Sequence, residues 1–173
     1  MATDPLNARW HGWLSAYLLG LGQLDEAKQA IDKALELQPD SVSDHYNRAV
    51  LAVLRGDAAA ALAAAQAGPP GGWQDLSLVT AMQIGPDRAA ADAQLKAYTA
   101  KYANEWAFQV AELHALRSEP DEAFRWLERA RVQQDPGLEG LLASPMLLRY
   151  RDDPRFAAFV RRIGLSMPAP PPG

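Results

Sequence analysis

The stretch Gly22-Gln-Leu-Asp-Glu-Ala-Lys-Gln-Ala-Ile-Asp-Lys-Ala-Leu-Glu-Leu-Gln-Pro39 decides the reading of the chain. Ala27, Ile31, Ala34 and Leu35 recur at steps of three and four, so they share one face of a helix. Asp25 and Glu26 suit the positive end of that helix, and Pro39 pushes the residue before it out of helical geometry. A shift of 34 residues carries Gly22 onto Gly56, Ala27 onto Ala61 and His11 onto His45. The same small pair, five apart, returns as Gly85/Ala90 and, with serine for glycine, as Ser118/Ala123. Two small residues at that spacing mark a tight turn followed by a close helix–helix contact, and their recurrence at a near-constant period marks a repeat architecture.

The remaining positions extend the pattern. Leu14, Ala27, Ile31 and Pro39 in the first unit, Ala49 and Ala61 in the second, Gly85, Ala90 and Ala97 in the third, and Ala111, Ala123, Leu127 and Ala130 in the fourth fall in one phase. This resembles the 34-residue tetratricopeptide (TPR) pattern of paired helices. The departures are His11 for the tryptophan, Ser15 for the glycine, Leu18 for the tyrosine, Ala65 for the aromatic, and Trp73 for the second proline. The resemblance implies an all-α helix–turn–helix solenoid of about four repeats with a helical C-terminal cap. Its expected divisions are a lead-in over 1–7, repeats at about 8–41, 42–72, 73–103 and 104–135, a cap over 136–165, and a proline-rich tail over 166–173.

Taken in order, the paired helices are expected near 6–21 and 24–37, 42–55 and 58–67, 73–84 and 86–101, and 104–117 and 119–133. Asp4-Pro5 reads as a helix start, Asp40-Ser-Val-Ser43 as caps, Gly68-Pro-Pro-Gly-Gly72 as a loop, Pro86 as a first-turn proline, and Ser118-Glu-Pro-Asp121 as a capping-box-like signal. Asp135-Pro136, Ser144-Pro145 and Asp153-Pro154 open three short helices near 136–142, 145–150 and 154–163, with Gly164 as a C-cap. Their leucines and phenylalanines are suited to covering the last repeat, as a solenoid end requires.

The ending carries a second resemblance. Trp126-Leu-Glu-Arg-Ala130, Asp135-Pro-Gly-Leu138, Asp153-Pro-Arg-Phe156 and Arg162-Ile-Gly-Leu165 look like the C-terminal TPR regions of bacterial multidomain signalling proteins. Ser144-Pro145 stands where that ending usually has another Asp-Pro. The resemblance implies a regulatory or sensor segment attached to a cyclase, winged-helix regulator or kinase, and a bacterial, cytoplasmic setting.

Composition narrows the function classes. A net charge of −4 argues against non-specific nucleic-acid binding, which needs a basic surface. With no cysteine, neither a disulfide framework nor a thiolate metal site is possible. No run approaches the roughly 20 apolar residues of a membrane helix, and Met1-Ala-Thr-Asp-Pro5 lacks the form of a signal peptide. The three histidines show no metal-ligand spacing, no serine sits in a nucleophile-elbow pattern, and the acid pairs read as helix-start charges. No enzyme, cofactor or metal site is expected.

What remains is protein binding. In the TPR register the concave groove is lined by Arg9, Trp13, Tyr46, Asn47, Val50, Val53, Val79, Met82, Phe108, Gln109 and Glu112. Carboxylate-clamp members of the family use lysine, asparagine and arginine there, and only Arg9 and Asn47 are of that kind. The groove is mostly apolar and aromatic, so the expected ligand is a hydrophobic peptide or a partner helix, its identity open. The first helix crowds Trp10, Trp13, Leu14, Tyr17, Leu18 and Leu21 into a stripe wider than one packing face needs. This leaves three readings of its excess: more groove, the edge of a repeat that lacks its neighbour, or a homodimer contact.

Overall fold

The computed structural model describes residues 7–166. The expectations placed on residues 1–6 and on the tail beyond Ser166 lie outside these. The described residues are all-helical, with no strand. Helices α1 (Ala8–Gly20), α2 (Leu24–Leu37), α3 (Val42–Leu54), α4 (Ala58–Ala67), α5 (Gly72–Met82) and α6 (Arg88–Tyr102) belong to one compact unit, Met1–Ala103. A second unit, Asn104–Gly173, holds α7 (Ala107–Leu116), α8 (Pro120–Gln133), a 3-10 turn (Pro136–Gly140), α9 (Pro145–Leu148) and α10 (Pro154–Arg162).

The repeat seen in sequence is a repeat of turns. After α1, α3 and α7 the chain passes through one residue of left-handed backbone: Gly22 (φ 73°), Gly56 (φ 73°) and Ser118 (φ 62°). The next amide reaches back five residues in each case, Gln23 to the Leu18 carbonyl (2.9 Å), Asp57 to Ala52 (3.0 Å) and Glu119 to His114 (3.0 Å). This is a Schellman closure, which satisfies carbonyls that the helix end would otherwise leave bare. The following helix starts at once, and the fourth residue past its N-cap is a fully buried alanine: Ala27, Ala61 and Ala123. Twelve residues before each alanine, on the preceding helix, lies another fully buried small side chain: Ser15, Ala49 and Ala111. Small side chains on both helices let their backbones approach closely.

The third pair departs from this, and the reason is one residue. The N-cap of α6 is Asp87, whose carboxylate accepts from the Ala90 amide (2.9 Å), so Pro86 lies before the helix, not in its first turn. Counted from that N-cap, the left-handed slot falls on Pro86, and proline's ring holds φ near −65°. The chain turns instead through successive short-range bonds, Gln83 to Thr80 (3.2 Å) and Gly85 to Met82 (3.1 Å). The buried alanine is then Ala91, not Ala90, and its counterpart twelve residues back is Val79, also fully buried. Two contacts return α6 to α5: the Tyr102 hydroxyl and Lys101 ammonium both donate to Asp75 (2.6 and 2.8 Å).

In the first unit α3 packs on α1, α2, α4 and α5, so it is the centre of that body. A polar seam joins α1 to α3. Asn47 Nδ2 donates to Ser15 Oγ (3.0 Å), and Ser15 Oγ donates to the Gly12 carbonyl (2.7 Å). Asp44 faces Gly12 so closely that a Cβ there would stand 2.5 Å from its Oδ1. The loop after α4 is held by Gln74, whose Nε2 donates to the carbonyls of Gly68 (2.8 Å) and Gln66 (3.2 Å).

In the second unit, Asp135, Ser144 and Asp153 each accept a backbone amide of the helical turn they precede, as helix starts do. The capping-box signal at Ser118 takes a different form. Ser118 occupies the left-handed turn, Glu119 is the N-cap, and its carboxylate pairs with His114 Nδ1 (2.7 Å) and Arg117 Nε (2.8 Å). Leu141, Leu147, Phe156 and Val160 are fully buried, so the short terminal helices contribute to this unit's core. Arg149 Nη1 donates to the Ala115 carbonyl (2.6 Å) at the end of α7, where a cation also meets the negative end of the helix dipole.

Gly56 has open space around its Cα but a left-handed φ. Gly56→Ala is therefore expected to destabilise the protein by about 1 kcal/mol through backbone strain alone. Gly140→Ala, where space is open and φ is ordinary, is expected to be near neutral. Urea midpoints of the two variants check this.

Candidate protein-binding surface

Helix α1 is amphipathic in the unexpected sense. Its buried residues are Gly12 and Ser15, both small, and a single large apolar residue, Leu19. Five large apolar residues of α1 and its C-cap face outward instead, with Trp10 51%, Trp13 52%, Leu14 49%, Tyr17 62% and Leu21 73% exposed. The spacing 10, 13, 14, 17, 21 is one helical face, three turns long. Trp10 and Trp13 pack edge to face, 5.6 Å between ring centres, and the Arg9 guanidinium lies 5.2 Å above the Trp13 ring. Among the described residues the other exposed large apolar side chains are Val42, Leu62 and Val132; only Val132 is as open to solvent, and none belongs to this stripe.

A shift of 34 residues shows how different this face is from its counterpart on α3. There the five positions are Asp44, Asn47, Arg48, Leu51 and Arg55. Leu51 is buried, and three of the others meet the α1–α2 hairpin through polar contacts: Asn47 to Ser15, Arg48 Nη2 to Asp32 (3.0 Å), and Arg55 Nη2 to Asp25 (2.6 Å). The α1 stripe has exchanged every charged or amide side chain at these positions for an aromatic or leucine.

The residues expected to line a groove divide by accessibility. Arg9 and Trp13 are exposed, and Tyr46, Asn47, Met82 and Gln109 are half-buried. Tyr46 stacks on Trp73 at 5.5 Å across α3 and α5, while Asn47 is committed to the α1–α3 seam. Val50, Val53, Val79, Phe108 and Glu112 are buried and stand in the core. The expectation misplaces these five because an apolar residue on a packing face and one on a groove face carry the same sequence signal. Val79 fills the small-residue contact of its hairpin, and Phe108, 4% exposed, lies under Gly137, where an added Cβ would meet its ring at 2.8 Å.

Phe108 and Glu112 belong to a buried polar arrangement in the second unit that spacing alone does not reveal. Asp135 Oδ2 accepts the Phe108 amide (2.9 Å) and Oδ1 accepts the Gly137 amide (2.8 Å). One carboxylate thus caps α7 from the far end of α8 while starting the next turn. One turn further along α7, Glu112 Oε1 accepts from the Ser144 hydroxyl (2.6 Å), and Ser144 Oγ in turn accepts the Leu147 amide (3.4 Å). Burial pushes the Glu112 carboxyl up to about 7, the Ser144 hydrogen bond opposes that, and the Asp135 charge adds to it.

The three histidines are separate. The Nε2 of His45 bonds the Pro39 carbonyl (2.9 Å) and His114 pairs with Glu119, while His11 lies on α1. Among the described residues no group of three His, Asp or Glu side chains converges as metal ligands would. No described helix is long and apolar enough to cross a membrane.

Two outcomes follow for the buried residues. Glu112 carries a folded-state value above its ordinary 4.5, so its neutral form favours the fold below that pH. That contribution is lost as pH rises from about 4.5 to about 7. Glu112→Gln is expected to remove this slope and to be up to about 3 kcal/mol more stable than wild type at pH 8. Urea midpoints of both proteins from pH 4 to 8 check it, a constant difference between them being the contrary result. Phe108→Ala is expected to cost about 3–5 kcal/mol of stability, measurable by thermal unfolding, and so reports on the core and not on a ligand.

No protein-family model, curated protein or solved structure matches this chain.

Proposed function

We propose that the chain is a protein–protein interaction module built of TPR-like helical hairpins, which binds a helix or an apolar peptide of a partner protein. The observation that carries this is the exposed stripe on α1. With an aromatic side chain offering 150–250 Å², its five residues present roughly 500–700 Å² of apolar surface, at or above the largest patch of an ordinary monomer. Patches of that size mark interaction sites, and tryptophan and tyrosine are the residue types that dominate binding energy when they become desolvated. Tyr46 and Met82, both half-buried, are the other accessible apolar members of the expected groove in the first unit.

The hairpin reading is supported by the recurring left-handed turn, the alanine four past each N-cap and the small residue twelve before it. The lateral packing of α3 on both α1 and α5 supports it as well. Helices packed in this way form a scaffold whose surface residues are free to vary without loss of the fold.

Affinity capture from the source cell's lysate tests the reading, with wild type beside Trp13→Ala/Tyr46→Ala. The double variant is expected to keep wild-type helicity and to lose at least ten-fold of a specifically retained protein. Equal retention by both, or none by either, counts against the module.

A further inference from the structure

We propose that the α1 stripe is covered by the α1 stripe of a second copy of this chain, the two helices packing antiparallel about a twofold axis. The proposal rests on the interaction-module reading and names one occupant of its surface.

Three observations select a second copy. The first is area. Two facing stripes of roughly 500–700 Å² each would bury roughly 1,000–1,400 Å², which reaches the size of a specific interface. The second is charge. Helix α1 contains no Asp or Glu, and Arg9 is its one formal charge. In an antiparallel pair centred on the stripe, between residues 15 and 16, each Arg9 stands by the C-terminal end of the other α1. The two cations are then far apart, and each meets the negative end of a helix dipole. A parallel pair would bring them together. The third is the contrast with α3. Where this chain covers the equivalent face with its own preceding hairpin, the contact is made by Asn47, Arg48 and Arg55 to polar partners. An apolar, aromatic face is the wrong complement for such a hairpin and the right one for its own copy, as an isologous contact requires.

Centring the pair on the stripe sets the register. Position 14 of one copy lies opposite position 17 of the other. Sedimentation velocity on the purified full chain, from 1 to 200 μM, is expected to show a reversible monomer–dimer equilibrium. Leu14→Glu and Tyr17→Lys, both at exposed positions, are each expected to weaken dimerisation at least ten-fold with unchanged far-UV circular dichroism. An equimolar mixture of the two is expected to recover a heterodimer, because the new charges face each other. Val132→Glu, exposed but outside the stripe, is expected to dimerise as wild type does. A wild-type monomer at 200 μM overturns the proposal, as does a dimer indifferent to both stripe substitutions. If either variant fails to fold, Tyr17→Ser replaces it, and an undiminished dimer in that variant also overturns the proposal. Since only this chain is present, a monomeric result leaves lysate capture as a separate test of the module.

Discussion

Two helices can lie side by side at close range only where neither carries a large side chain at the crossing. In this chain each of three hairpins carries a fully buried small residue on both helices, twelve apart: Ser15 and Ala27, Ala49 and Ala61, and Ala111 and Ala123. Everything else in the hairpins is arranged around it. In these three hairpins the connection is tight and closes through one residue of left-handed backbone. Glycine meets that need at positions 22 and 56, and Ser118 meets it at a steric cost. Pro86 cannot meet it, so α5 and α6 are joined by a different turn, and the buried residues twelve apart there are Val79 and Ala91.

Pairs built in this way leave polar groups at their borders, and the structure uses those groups to join one helix to the next. Asn47 and Ser15 link α1 to α3, Asp75 with Tyr102 and Lys101 links α5 to α6, and Ser144 with Glu112 links α9 to α7. The last of these is the most demanding, because Glu112 is removed from water and has a second carboxylate, Asp135, nearby. A buried acid held near neutrality costs stability as pH rises. The second unit accepts that cost where α7 meets both the 3-10 turn and α9. The exposed ion pairs, such as Lys28–Asp32 and Arg125–Glu122, contribute far less, since water screens them.

The helices differ in where their large side chains point. In α3 and α7 they point into the core, as Val50, Val53 and Phe108 do. In α1 the small residues take the inward positions and the aromatic ones are displaced outward. Helix α1 can fold this way because Gly12 admits Asp44 and Ser15 admits Asn47, a contact that needs little apolar area. Its two tryptophans are thereby left half exposed to solvent.

Much of the helical order was legible in the sequence. The period of three and four in 24–37, the alanines of 58–67 and the proline-led starts after 135 specify helices locally, through backbone sterics and capping, and their observed bounds lie within a few residues of expectation. The recurring tight turn was legible at Gly22, Gly56 and Ser118, since it and the buried alanine five residues on demand particular residues at fixed separations, and it was not kept at Gly85. Tertiary structure alone decided three things. It placed Asp135 on the Phe108 amide, a cap that joins positions 27 residues apart. It moved the third hairpin's contact from Ala90 to Ala91, because the register follows the Asp87 cap. And it divided the apolar residues of the groove register into core and surface, keeping Val79 and Phe108 inside and leaving Trp13 open. Periodicity identifies a face; only the packed neighbours determine whether that face meets protein or water.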